Sequence, residues 1–432
     1  MPQVKTLSRR APLVLVCMIE FLERFAFCCV FSLFVLYVPQ GHVISEGEAT
    51  SLYGIFIGLS YFAQLPGGML LDRLFSKRES VILGIGLMTL GYGFLATQPE
   101  HVRWGLGFLV LGSGPFKSGI ISMAGNLYLK KEKNERAFQW FYFAINGGAV
   151  IGPIIGSAVF SRYGWKAACW LSAFSLLLGL ILSMILGRES LGPVPPVASE
   201  PSLQGSPRRA YKELTLFVGM CAACLLFWVG YHQTGTTLTY FARDQVDRTL
   251  GGRLNPGLAP SAFLSLPGFL FLVLSPFLLI VFRLLRQVRI ELSTPGKLIT
   301  GLLLGASTMA FLAFAAQRAG ASGQVGVVWL LCAYTLLTLA ELCLEPIGLS
   351  LISRLVPARQ FPLYVGAWYG VVALGGTLAG EVGRLWNHWP HATFFTFLSA
   401  LSLAGAAILA ALRSPLRQAI RESQFNQEAA NG

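Results

Sequence analysis

Residues 188–209 read RESLGPVPPVASEPSLQGSPRR. The stretch is rich in Pro, Ser and Gly and carries charges at both ends. It has too little apolar surface to bury a core and reads as a mobile cytoplasmic linker. On either side of it the composition inverts. Toward the amino end, apolar stretches recur near 167–187, 137–160, 104–128, 80–97, 48–71 and 11–38. Toward the carboxyl end they recur near 214–241, 260–282, 298–316, 325–352, 361–383 and 392–412. A helix of roughly 20 apolar residues crosses a hydrocarbon core about 30 Å thick. The expected fold is an all-α membrane protein with twelve transmembrane helices in two six-helix bundles. The N-terminal bundle covers 1–187, the linker 188–213, the C-terminal bundle 214–412 and a cytoplasmic tail 413–432.

Composition supports this reading. The chain has 432 residues, of which 54 % are hydrophobic and 12 % charged, and its mean hydropathy is +0.62, too apolar for a water-soluble globule of this size. The net charge of +13 does not point to nucleic acid, because the basic residues are dispersed among short loops. With both termini in the cytoplasm, about 23 Lys and Arg fall on the inside and about eight on the outside, the bias expected of a plasma (inner) membrane protein. The eight cysteines all fall within apolar spans, where they act as small hydrophobes. Cys221 and Cys224 lack the second ligand pair that a metal site would need, so no metal is expected. The first span carries charges and lacks a small-residue cleavage site, so it reads as a retained helix.

Two basic residues, Arg24 and Lys117, fall inside spans. Arg24 belongs to EFLERFAFCC (20–29), where Glu20, Glu23 and Arg24 stand at i, i+3 and i+4 and so share one helix face. Charges at membrane depth are costly and must face the bundle interior or a wet cavity. The nearest plausible counter-charges for Lys117 are Glu20 and Glu23. A carboxylate that exchanges a lysine for a proton changes its charge and its contacts together, so protonation can bias which conformation is stable. The same residues also admit a plainer reading, a structural ion-pair cluster between helices.

GGMLLDRLFSKRE (67–79) joins spans two and three and is similar to the conserved loop of the major facilitator superfamily. That resemblance implies two halves that expose a central site to each side in turn, with Asp72 and Arg73 latching helix ends as a gate. The opening stretch resembles the E-x-x-E-R-F signature of the proton-dependent oligopeptide transporters, and further motifs follow in order. They are GSGPFKSGIISMAGNLY (112–128) with Lys117, FQWFYFAINGGAVIGP (138–153) with Asn146, and Tyr61 six residues before Gly67. FWVGYHQTGTTLTYFA (227–242), LAELCLEPIGLSL (339–351) and VGAWYG (365–370) complete the series.

The resemblance implies proton coupling through Glu20, Glu23, Arg24, Lys117 and His232. It also implies substrate binding by Tyr61, Asn146, Gln233, Glu341 and the position of Phe31; Glu345 is an added candidate, and the aromatics Tyr61, Trp228 and Trp368 read either as walls of a pocket or as packing. Several departures bear on cargo. Phe31 stands where the family has an arginine for the peptide carboxylate, and Pro267 where it has an asparagine for the amino end. His232 replaces a glutamate and reads either as a satisfied core histidine or as a proton-binding group with a different working pH. Glu341 matches the glutamate that binds a peptide amino group, and Glu345 is an addition one turn on, so the two carboxylates either share a cation or a proton or form a purely structural pair. The two additional helices common in bacterial members are replaced by the short linker.

These features imply a proton-coupled symporter of small peptides or peptide-like molecules. It would work as a monomer in the bilayer, with no cofactor beyond the proton gradient and no nucleic-acid partner. Alternatives are an exporter of a modified peptide or natural product, and a transport-dead receptor or scaffold with the same fold. No pairing of nucleophile and base suggests an enzyme.

Overall fold

The computed structural model of the chain describes residues 10–41, 44–64, 75–97, 101–126, 131–186, 207–249, 257–288, 292–356 and 361–431. The expected gate residues Asp72 and Arg73, and most of the linker, lie outside the described residues.

Among the described residues regular structure is helical except for two short strands, β1 (Val246–Asp247) and β2 (Val325–Gly326), which pair in parallel. The helices are α1 (Arg10–Tyr37), α2 (Glu46–Phe62), α3 (Lys77–Thr97), α4 (Val102–Asn126), α5 (Lys131–Ile185), α6 (Pro207–Tyr231) and α7 (Thr237–Asp244). They continue with α8 (Leu266–Gln287), α9 (Thr294–Ser322), α10 (Val327–Leu355), α11 (Phe361–Gly383), α12 (His391–Ala411) and α13 (Arg413–Asn431). Hydrocarbon offers no hydrogen bonds, so a spanning segment must satisfy its backbone internally, and the helix does this within one segment.

Among the described residues, nine helices are long and apolar enough to cross a membrane. The sequence reading counts twelve spans, and three local features account for the difference. Spans five and six run together as α5, a 55-residue helix broken at Gly164 (φ 78°, ψ −176°), a backbone conformation that only glycine adopts without strain. The 28 residues of α1 carry four charged side chains, Arg10, Glu20, Glu23 and Arg24, and α2 has 17 residues. Large apolar side chains such as Leu90, Leu111, Phe174 and Leu279 stand exposed on the helices. Water would disfavour that surface and lipid chains suit it, so the protein is an integral membrane protein.

The chain divides into two compact units. The first comprises Met1–Ala49, Leu59–Ala198 and Ala259–Phe269. Its central seam is α1 against α5, where Gly148, Gly152 and Gly156 recur every four residues on one face. A Cβ on these glycines would come within 2.7, 2.8 and 2.6 Å of the carbonyl oxygens of Phe21, Phe25 and Cys29. Small residues at this spacing let two backbones approach closely, which gives the packing that lipid cannot drive hydrophobically. Ser172 and Ser175 donate to the Ala26 and Leu22 carbonyls across the seam, at 3.0 and 2.9 Å. Arg78 closes the end of α5 by donating to the carbonyls of Ser183 and Met184 at 2.8 and 2.6 Å, where a cation is also favoured by the helix dipole.

The second unit comprises Thr50–Gly58, Ser199–Leu258 and Leu270–Gly432. Here Gly54 of α2 lies against α11, and a Cβ on it would fall 2.6 Å from the Gly380 Cα. In the same unit Ser399 donates to the Ala306 carbonyl at 2.8 Å, joining α12 to α9. After α6 a short turn, His232–Gly235, leads into α7.

Candidate functional site

The first unit holds a buried cluster of four charges. Lys117, two residues after Pro115 in α4, points its ammonium between two carboxylates of α1, at 2.5 Å from Glu20 Oε1 and 2.8 Å from Glu23 Oε2. Glu23 is also gripped by its neighbour Arg24 through both oxygens, at 2.6 and 2.7 Å. Such two-point contacts are the stronger kind of charge-assisted hydrogen bond. Side-chain exposures are 0 % for Glu20, 4 % for Glu23, 13 % for Lys117 and 22 % for Arg24. The Arg24 guanidinium also lies 4.6 Å over the Phe27 ring. Gly148 makes room for it, since a Cβ there would fall 2.8 Å from that of Arg24.

The two glutamates are not equivalent. Glu23 is shared by two cations, whereas Glu20 bonds Lys117 alone and its buried Oε2 makes no hydrogen bond among the described residues. With two carboxylates and two cations the cluster is formally neutral, so one added proton leaves an uncompensated positive charge in low dielectric. That is a large energetic change for a small chemical one.

Tyr61 on α2 and Asn146 on α5 are half-buried in this unit, and the Asn146 amide donates to the Tyr142 carbonyl at 3.0 Å. Phe31, expected at a substrate end, is 1 % exposed instead. Its ring is stacked between those of Phe27 and Phe34, with centroids at 4.7 and 5.6 Å. Aromatic packing has closed that position.

In the second unit Trp228, Tyr231 and His232 form an aromatic group at the end of α6, with Trp228 to Tyr231 and Tyr231 to His232 centroids at 5.1 and 5.7 Å. His232 is hydrogen-bonded to the Val372 backbone, and its buried Nε2 has no hydrogen-bond partner among the described residues. The Tyr231 hydroxyl donates to the Glu341 carboxylate, a contact the sequence reading missed. Its only sequence signal is the phenol tip in FWVGYHQ, three residues after Trp228. Glu345 follows one turn later on α10, just before Pro346, and both glutamates are half-buried.

Two further residues from the expected substrate-binding set are engaged with other helices in this structure. Gln233, expected to bind substrate, is buried, and its amide is used in holding helices. Nε2 donates to the Ala379 carbonyl at 3.0 Å, and Oε1 accepts from Thr236 and Thr237 at 3.0 and 2.8 Å. Trp368, expected to wall a pocket, is fully buried against Gly348, where an added Cβ would lie 2.6 Å from its ring. A helix-to-helix contact this close needs a large flat side chain opposite a missing one.

Comparison with known proteins gives two family matches. The model of the major facilitator superfamily matches residues 16–294, and that of the POT family matches residues 206–414. Among curated proteins, the peptide transporter YePEPT of Yersinia enterocolitica subsp. palearctica is 27 % identical, with 95 % of each chain covered. Dipeptide and tripeptide permease A of Proteus mirabilis is 25 % identical, covering 89 % of this chain and 88 % of its own. A crystal structure of a POT family transporter in complex with 5-aminolevulinic acid superposes with a TM-score of 0.84 at 20 % identity. It covers 94 % of this chain and 96 % of its own, and it carries the fold alone.

Proposed function

The chain belongs to the major facilitator superfamily, and from that premise we propose that it is a proton-coupled transporter of small peptides or peptide-like molecules. The curated relatives bear the names of peptide transporters and of a dipeptide and tripeptide permease, which supports peptide transport here. The observation that carries proton coupling is the ammonium of Lys117 held between buried Glu20 and Glu23. A proton arriving at Glu20 removes the only charge that Glu20 offers to Lys117. The lysine is then left to Glu23, which Arg24 already holds, and the balance between two arrangements of α1 and α4 shifts. A symporter needs such a device, since a proton must alter the stability of a conformation in order to drive it.

Two bundles of six spans fit this reading, with Gly164 dividing α5 into two crossings and α1 and α2 supplying two more. The excess of Lys and Arg on one side supports cytoplasmic termini, with Asp72 and Arg73 as a cytoplasmic latch. The cargo is a molecule with a free amino or other cationic group, met by Glu341 and Glu345, and it needs no free carboxylate because Phe31 is packed away.

The test is uptake in proteoliposomes under an imposed pH gradient, followed by competition against one labelled peptide with free, C-amidated and N-acetylated forms. Gradient-driven accumulation is expected. Amidation should change affinity little, and acetylation should weaken it tenfold or more, as the loss of a charge-assisted bond of about 1.5–3 kcal/mol requires. Binding without driven flux would instead mark a receptor, and a strong preference for the free acid would overturn the cargo assignment.

A further inference from the structure

The apolar span of α12 stops at Ala411, and α13 starts at Arg413. Pro415 sits in the first turn of α13, where its missing N–H removes the hydrogen bond that would carry α12 straight on. α13 instead packs against the ends of α6, α9 and α10. The polar contacts fix where this happens. Arg417 Nε donates to Ser293 Oγ at 3.0 Å, and Ser293 is the residue that caps the start of α9. Lys212, at the start of the α6 span, lies 3.4 Å from Glu422. α13 therefore runs where the apolar spans of α6 and α9 begin and that of α12 ends.

Its faces are sorted accordingly. Leu416, Ala419 and Ile420 are buried on one side. Arg413, Arg417 and Arg421, at i, i+4 and i+8, form a row along one flank of that strip, while Glu422 lies on the other flank. Arg417 is occupied by Ser293, but Arg413 and Arg421 are exposed and neither makes an ion pair or hydrogen bond among the described residues. Arg413 and Arg421 stand about 12 Å apart along the helix axis at 1.5 Å per residue, and their guanidiniums meet no carboxylate among the described residues.

We propose that this flank of α13 binds anionic lipid headgroups, with Arg413 and Arg421 donating to headgroup phosphates of the leaflet at which α6 and α9 begin. The guanidinium fork matches phosphate geometry, and the position supplies a dense layer of such phosphates within reach. Attachment there would hold α13, and through Arg417 the capped start of α9, against the membrane surface.

Native mass spectrometry of the whole protein, titrated with phosphatidylglycerol or with phosphatidylcholine, tests this directly. The first phosphatidylglycerol should bind at least tenfold tighter than the first phosphatidylcholine. Arg413→Gln with Arg421→Gln should weaken it about fivefold for each guanidinium and about 25-fold for both, with phosphatidylcholine unchanged. Arg413→Lys with Arg421→Lys should keep most of the preference, which a merely structural role for the two side chains would not predict. Equal binding of the two lipids by the native protein, or an undiminished preference in the glutamine variant, would overturn the proposal. So would a second copy of the chain occupying this face in place of lipid.

Discussion

Lys117→Met keeps the apolar stem of the side chain and removes its charge, and the geometry says where the damage falls. Glu23 retains Arg24 at 2.6 and 2.7 Å, whereas Glu20 loses its only partner while its side chain stays 0 % exposed. Removing one member of a buried ion pair costs about 3–5 kcal/mol, because the remaining charge is left unsolvated. Adding Glu20→Gln removes that charge and leaves a buried amide, itself worth a penalty of about 1–3 kcal/mol, so the double variant should regain about 2 kcal/mol. Adding Glu23→Gln instead should regain nothing, because Glu20 is still stranded and Arg24 now loses its carboxylate as well. The assay is a double-mutant cycle by denaturant unfolding of the purified protein in mild detergent, at fixed pH and salt, followed by tryptophan fluorescence. Equal recovery by the two glutamine substitutions, or a cost below about 1 kcal/mol for Lys117→Met, would refute the asymmetry drawn between the two glutamates.

Glu20→Gln and Glu23→Gln should each abolish accumulation driven by a proton gradient while sparing counterflow exchange, which needs no net proton movement, and both are read in the same proteoliposomes. Gly152→Leu should destabilise the protein by about 3 kcal/mol or prevent its isolation as a monodisperse species, since a Cβ there already meets the Phe25 carbonyl at 2.8 Å. Gln233→Ala should cost about 2–3 kcal/mol of stability yet leave ligand affinity in the competition assay unchanged, because its amide is committed to Ala379, Thr236 and Thr237.

The sequence alone determined the parts of this protein that depend on local chemistry. A bilayer demands length and apolarity, and both can be counted along a chain, so the membrane class and most of the spans were legible. Helical periodicity placed Glu20, Glu23 and Arg24 on one face, and the isolation of Lys117 among apolar neighbours pointed to them as its counter-charges. Only the tertiary structure decided how those charges divide. Glu23 is held twice and Glu20 once because Arg24, next to Glu23 on α1, turns its guanidinium onto Glu23, while Lys117 of α4 reaches both carboxylates. The same applies to Trp368 and Gln233, which meet Gly348 and the Ala379 carbonyl of other helices, whereas Phe31 stacks on Phe27 and Phe34 of its own helix. It applies in reverse to Tyr231, an ordinary span aromatic until α10 brings Glu341 to its hydroxyl. A side chain's type is written in the chain, but the use made of its polar atoms and surface is fixed by what packs against it, and in lipid that is settled by close fit between helices.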